Sequence, residues 1–158
     1  MLHINLRPPV DDDWPGILDV ANRSVAAVPG AGTQEGWLAN RQAFDAATGE
    51  QEHWVAVTND VSAHIVGYVG VERRAGEEHA RLFVVIDPAD RDDVGARLLR
   101  HAIDVARKAG AIRASLVEYA SDGAFVAFLL SHGFVEERRF ALPADGGDAC
   151  VMSMPLNK

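Results

Sequence analysis

The chain has 158 residues, 48% hydrophobic and 24% charged, which suits one domain (1–158) with a proper core and no disordered stretch. A net charge of −8, with Lys and Arg grouped only as the pairs Arg73-Arg74 and Arg138-Arg139, argues against a nucleic-acid surface. The single cysteine, Cys150, excludes an internal disulfide, and the sequence shows neither an apolar signal core nor a run of ~18 apolar residues, so no membrane span is expected and the expected location is the cytoplasm.

Ile4 to Arg7 reads as a short opening strand stopped by Pro8-Pro9. Asp11 to Asp13 supply an N-cap and negative charge for a first helix that runs to about Ala27, with Trp14, Ile17, Leu18 and Ala21 on its apolar face. After the loop Val28-Pro-Gly-Ala-Gly, Thr33 is the expected cap of a second helix whose irregular apolar side carries Trp37, Leu38, Ala43, Phe44 and Ala47. His53 to Val57 alternates as a strand, and the three runs 53–57, 64–73 and 79–86, separated by the turns at Asn59-Asp60 and Ala75 to Glu78, make an antiparallel meander.

Ala80 to Gly110 is the stretch around which the rest is organised. Leu82 to Ile86 has the apolar, β-branched character of a strand covered on both faces, and Asp87-Pro88 stops it. From Val94 the apolar spacing becomes helical, through Leu98, Ala102, Val105 and Ala106, until Gly110 ends the helix. A strand entering a helix N-terminus presents free backbone N–H groups and the positive end of the helix dipole, a natural seat for phosphate. A strand at Ile112 to Tyr119 follows, then a helix from Ala124 to about Ser131 capped by Ser121-Asp122-Gly123. Strands Phe134 to Leu142 and Cys150 to Leu156 finish the chain. The order β, α, α, β, β, β, α, β, α, β, β predicts an α/β (α+β) fold, a mixed and mostly antiparallel sheet with helices on both faces.

That order, with IVGYVGV at Ile65 to Val71, FVVIDPADR at Phe83 to Arg91, a Leu98-Leu99 helix, the Gly133-Phe134 step and the terminal CVMSMPL, resembles the GNAT superfamily of acyl-CoA-dependent N-acyltransferases. The resemblance implies an N-acetyltransferase that moves an acetyl group from acetyl-CoA to an amine by direct transfer in a ternary complex. It implies a fourth strand splayed from the fifth, with the pantetheine arm pairing to the backbone of Val84, Val85 and Ile86 and the pyrophosphate on the turn Arg91, Asp92, Asp93, Val94, Gly95, Ala96 and Arg97. An amine-bearing acceptor would lie against the segment between the first two helices, with Trp37 and Asn40, and against the Pro143 to Asp148 loop. A homodimer is left open.

The sequence departs from the family pattern in two places. The family turn reads Arg or Gln, two residues, Gly, one residue, Gly or Ala; here Val94 or Asp93 stands at the first Gly, depending on register, so the loop is about one residue short. Asp90, Asp92 and Asp93 add carboxylates expected to accept from the amides that a pyrophosphate needs. The tyrosine that many members place four residues before Gly-Phe is Leu129, which cannot donate a proton to a leaving thiolate. A base is still needed to free the amine, and Glu118, at an inward-looking place in LVEYA, is the first candidate, Glu72 at the end of the third strand the second. The alternative is a GNAT-fold binding or interaction domain that has lost catalysis. The six histidines show no HExxH-type spacing and the sequence has no CxxC, so no metal is expected, and there is no GxSxG elbow for a hydrolase.

Overall fold

The computed structural model describes residues 3–26, 50–61, 63–73, 78–120, 122–141 and 148–156. Their strands are β1 (Ile4–Arg7), β2 (Glu50–Thr58), β3 (Ile65–Arg73), β4 (His79–Ile86), β5 (Arg113–Tyr119), β6 (Val135–Ala141) and β7 (Asp148–Pro155). Their helices are α1 (Trp14–Ala26), α2 (Ala96–Lys108) and α3 (Gly123–Ser131). One seven-stranded sheet runs β1-β2-β3-β4-β5-β7-β6, antiparallel throughout except for β4 beside β5. The expected mixed, mostly antiparallel sheet is therefore present; the second helix expected near Thr33 to Ala47 lies outside the described residues.

The sheet is covered on both faces, which explains why β3 and β4 read as continuous apolar runs rather than alternating ones. On one face Ile17, Val20 and Ala21 of α1 pack with Val55, Val57, Ile65, Tyr68 and Val85. On the other, Leu98, Leu99, Ala102 and Ala106 of α2 and Phe125, Phe128 and Leu129 of α3 meet Val69, Val71, Leu82, Ile86, Leu116, Cys150 and Met152. Leu98 and Leu99, at 0% and 1% exposure, each contribute about 1.5–3 kcal/mol through burial alone. Gly67 leaves room for this helix: a Cβ there would stand 2.4 Å from Leu98 Cδ1, so the leucine tip would have to move.

The helix ends follow local chemistry. Gly110 and Gly133 end α2 and α3 in left-handed conformations, φ +97° and +96°, which side-chain-bearing residues rarely adopt. Asp122 caps α3 by accepting from the Phe125 N–H at 3.2 Å. At the entry to α1 the three aspartates form a short 3-10 turn, and Asp13 accepts from the Val10 N–H at 2.7 Å and from both Arg7 Nη atoms, locking β1 to the helix start.

Candidate functional site

β4 pairs with β3 over seven residues, Ala80 to Ile86, and β5 pairs with β7 along its whole length. Between themselves β4 and β5 pair only at His79↔Arg113, Ala80↔Ala114 and Arg81↔Ser115. Beyond that row they have no ladder, so Leu82 to Ile86 present alternate N–H and C=O groups toward a wedge whose other wall is Leu116 to Tyr119. Unpaired strand edges of this kind accept an extended chain as an added strand. Side chains line the wedge by alternation: Val84 and Ile86 point to the α2/α3 face, whereas Val85 packs under α1.

The open end of the wedge leads into the turn before α2. Asp87 caps a 3-10 turn at Pro88–Asp90 by accepting from the Ala89 N–H at 3.1 Å, and its other oxygen receives Arg23 Nε of α1 at 2.9 Å. Arg91–Gly95 then form a π-helical turn that continues into α2. This wide turn accommodates the short loop without a phosphate-facing glycine, because Val94 is at 0% exposure in the core and Gly95 has ordinary helical dihedrals, φ −59° and ψ −43°. Gly95 is needed for packing: a Cβ would stand 2.9 Å from Ile86 Cδ1 and 3.1 Å from Phe128 Cζ. The Ala96 N–H already donates to the Asp93 carbonyl, so what the turn can offer a ligand is the backbone N–H groups ahead of it.

The acids do not sit as expected on those amides. Asp90 makes no capping hydrogen bond, and burial, then the nearby Asp87 carboxylate, push its pKa up. Asp93 turns its carboxylate to Arg97, 3.1 Å from Nε, Asp92 is exposed, and the cap is Asp87, a residue outside the predicted trio. Arg91 packs its guanidinium 5.6 Å from the Phe125 ring centroid and 4.0 Å from buried Asp122, tying the turn to the start of α3. Arg97 is paired with Asp93, and Arg91 packs against α3.

At the closed end of the wedge, on the α1 face, lies a polar row in register across four strands: Glu72, Arg81, Ser115 and Ser153. Arg81 donates from Nε and Nη2 to Glu72 Oε1 at 2.8 and 2.5 Å. The Glu72 side chain is 1% exposed and its Oε2 has no partner, whereas the Arg81 side chain is 54% exposed. His79 Nε2 lies 2.7 Å from Ser115 Oγ, and Arg113 reaches Ser153 at 2.9 Å and pairs with Glu137. Glu118 is half-buried on the same face as Leu116, two residues into the wedge on its β5 wall, and opposite Cys150 of β7. Among the described residues no group of His, Cys, Asp and Glu is arranged to hold a metal ion.

A family model described as the Acetyltransferase (GNAT) family matches residues 19–134. The chain belongs to the GNAT acetyltransferase family. A comparison with curated proteins gives no match. Among solved structures, a GNAT-family acetyltransferase from Staphylococcus aureus superposes with a TM-score of 0.76 at 17% identity, covering 98% of this chain and 100% of that one. Ard1 from Thermoplasma volcanium gives 0.74 at 17% identity, covering 98% and 99%. The PaiA N-acetyltransferase from Thermoplasma acidophilum, solved in complex with coenzyme A, gives 0.72 at 18%, covering 98% and 99%. At these identities the likeness is one of fold.

Of the residues singled out in the sequence, the GNAT fold gathers Val84, Val85 and Ile86 on one wall of the wedge, Arg91 to Arg97 at its mouth, Glu118 on its second wall and Glu72 behind its apex. Trp37, Asn40 and Pro143 lie outside the described residues. Leu129 is at 0% exposure inside the α2/α3 core. His132 ends α3 with its ring 4.5 Å from Phe128 in edge contact. Sequence reading missed Arg81, His79 and Ser115. The only available signal was their alternation with Ala80, Leu82 and Ala114, which assigns the polar members to one face.

Proposed function

We propose that this protein transfers an acetyl group from acetyl-CoA directly to the nitrogen of an amine. The observation that carries the reading is the wedge: β4 and β5 part after three paired residues and the unpaired β4 edge runs straight into a helix N-terminus. This fits an extended amide-bearing arm on the strand and a pyrophosphate on the turn.

Bound acetyl-CoA supplies an acyl carbon activated as a thioester; the amine lone pair forms the C–N bond to it, the C–S bond breaks, and the thiolate takes a proton from solvent. The chain's own parts act around that exchange. Backbone N–H groups in Val84 to Ile86 polarise the carbonyl oxygen. Glu118, at the wedge, removes the proton from the attacking ammonium, with Glu72 as the second candidate for that role. No side chain stands in for the leaving-group acid at Leu129, and a thiolate departs without one.

The test is release of free thiol from acetyl-CoA with a panel of amines, in the parent protein and in Glu118→Gln and Glu72→Gln. Amine-dependent release, lowered about 100-fold or more in kcat by Glu118→Gln, is expected. Binding of acetyl-CoA with no transfer to any amine would favour an interaction domain on the same fold.

A further inference from the structure

The residue that the proposed transfer leaves without a role is Arg81, the partner of Glu72. A guanidinium carries five N–H donors. Glu72 Oε1 takes two of them, one from Nε and one from Nη2, which leaves three: both on Nη1 and the second on Nη2. Those are the donors of the outer Nη1/Nη2 edge, the fork that matches a carboxylate. The Glu72 side chain is 1% exposed whereas the Arg81 side chain is 54% exposed, so the arginine is the outer member of the pair. Burying Glu72 costs stability, and an anchor for an exposed arginine is what that cost secures.

Position gives this arginine a use. Arg81 is in the last row where β4 and β5 pair, on the α1 face, while the turn and α2 lie toward the opposite face. The reacting carbonyl would sit one or two residues along β4, about 3–7 Å away at the rise of a strand. The guanidinium leans one strand across toward Glu72 of β3. The charged groups on the same face two residues back along β4 and β5 do not compete: Arg113 is paired with Glu137, and His79 engages Ser115.

We infer that Arg81, braced by Glu72, binds the carboxylate of the acceptor, so that the amines acetylated are small amino acids whose amine and carboxylate lie a few bonds apart. The inference rests on the transferase reading and narrows its substrate class.

The experiment compares free amino acids with their carboxamides, which keep the amine and side chain and lack the anion. In thiol-release assays the acids are expected to exceed their amides by about 10- to 100-fold in kcat/KM. Arg81→Lys keeps a cation over buried Glu72, so the fold survives, but it loses the planar fork; it is expected to raise KM for acids, leave kcat near the parent value and leave the amides unchanged. A second readout is free of turnover: thermal unfolding with N-acetyl amino acids and with their amides, in parent and Arg81→Lys protein. Stabilisation by the acids alone, lost in Arg81→Lys, supports the inference even if acetyl-CoA proves not to be used. Transfer to amides as efficient as to acids overturns it while leaving the transferase reading intact. Absence of both acid transfer and acid-dependent stabilisation overturns it as well.

Discussion

Replacing Leu129 by tyrosine, the residue that many GNAT sequences carry at the corresponding place, is expected to damage this protein rather than restore a general acid. Leu129 is at 0% exposure within the cluster formed by α2, α3 and the sheet, and its carbonyl accepts from the N–H groups of both His132 and Phe134. A tyrosine there adds a ring edge and hydroxyl to a filled site. Overpacking costs about 1–3 kcal/mol and an unpartnered buried hydroxyl about 1–3 kcal/mol more. The sum, about 2–6 kcal/mol, corresponds to a fall in Tm of about 4–24 °C for a chain of this size. Differential scanning calorimetry measures the shift, and the thiol-release assay measures kcat in the same samples. An unchanged Tm together with a tenfold rise in kcat would refute the reasoning, because it would mean that position 129 opens onto the wedge.

Other predictions follow from single groups. Asp90→Asn removes a carboxylate whose charged form is disfavoured in the fold by burial and by Asp87; it is expected to raise Tm at pH 7, by less as pH falls through the ordinary carboxylate range, and to tighten acetyl-CoA binding by calorimetry. The hydrogen bond from Arg7 is the main cause that lowers the Asp13 pKa. Its stabilisation is therefore present above the unfolded-state pKa and lost as pH falls through the folded value, so the Tm gap between parent and Asp13→Asn should close below about pH 4. Cys150 is buried, and that burial pushes its thiol pKa up; a chromogenic disulfide is expected to titrate one thiol in denaturant and none in the native protein on the assay timescale.

Much of the fold was legible because the relevant signals are local. Period-2 alternation located β2, the apolar run stopped by Asp87-Pro88 located β4, the change to helical spacing after Val94 located α2, and Asp122 with Gly133 bracketed α3. Boundaries moved where pairing decides them: β7 begins at Asp148, two residues early, because Asp148 pairs with Ala141 of β6. The turn was the harder case. Counting residues against the family pattern exposed a shortfall, yet nothing local signals that Arg91–Gly95 form a π turn, which depends on how Ile86 and Phe128 crowd Gly95. Asp87 read as a strand terminator, and its cap to Ala89 and its bond to Arg23 appear only with α1 in place. Arg81, Ser115 and Ser153 come from three distant strands, so their common row exists only through sheet register.

The central claim is that the unpaired edge of β4 and the turn after it seat acetyl-CoA. Amide hydrogen exchange with and without saturating acetyl-CoA tests this where it is made. Slower exchange is expected in Leu82 to Ile86 and Asp92 to Ala96, with β6 unaffected. Unchanged exchange across both segments, at ligand concentrations up to the millimolar range, would contradict the account.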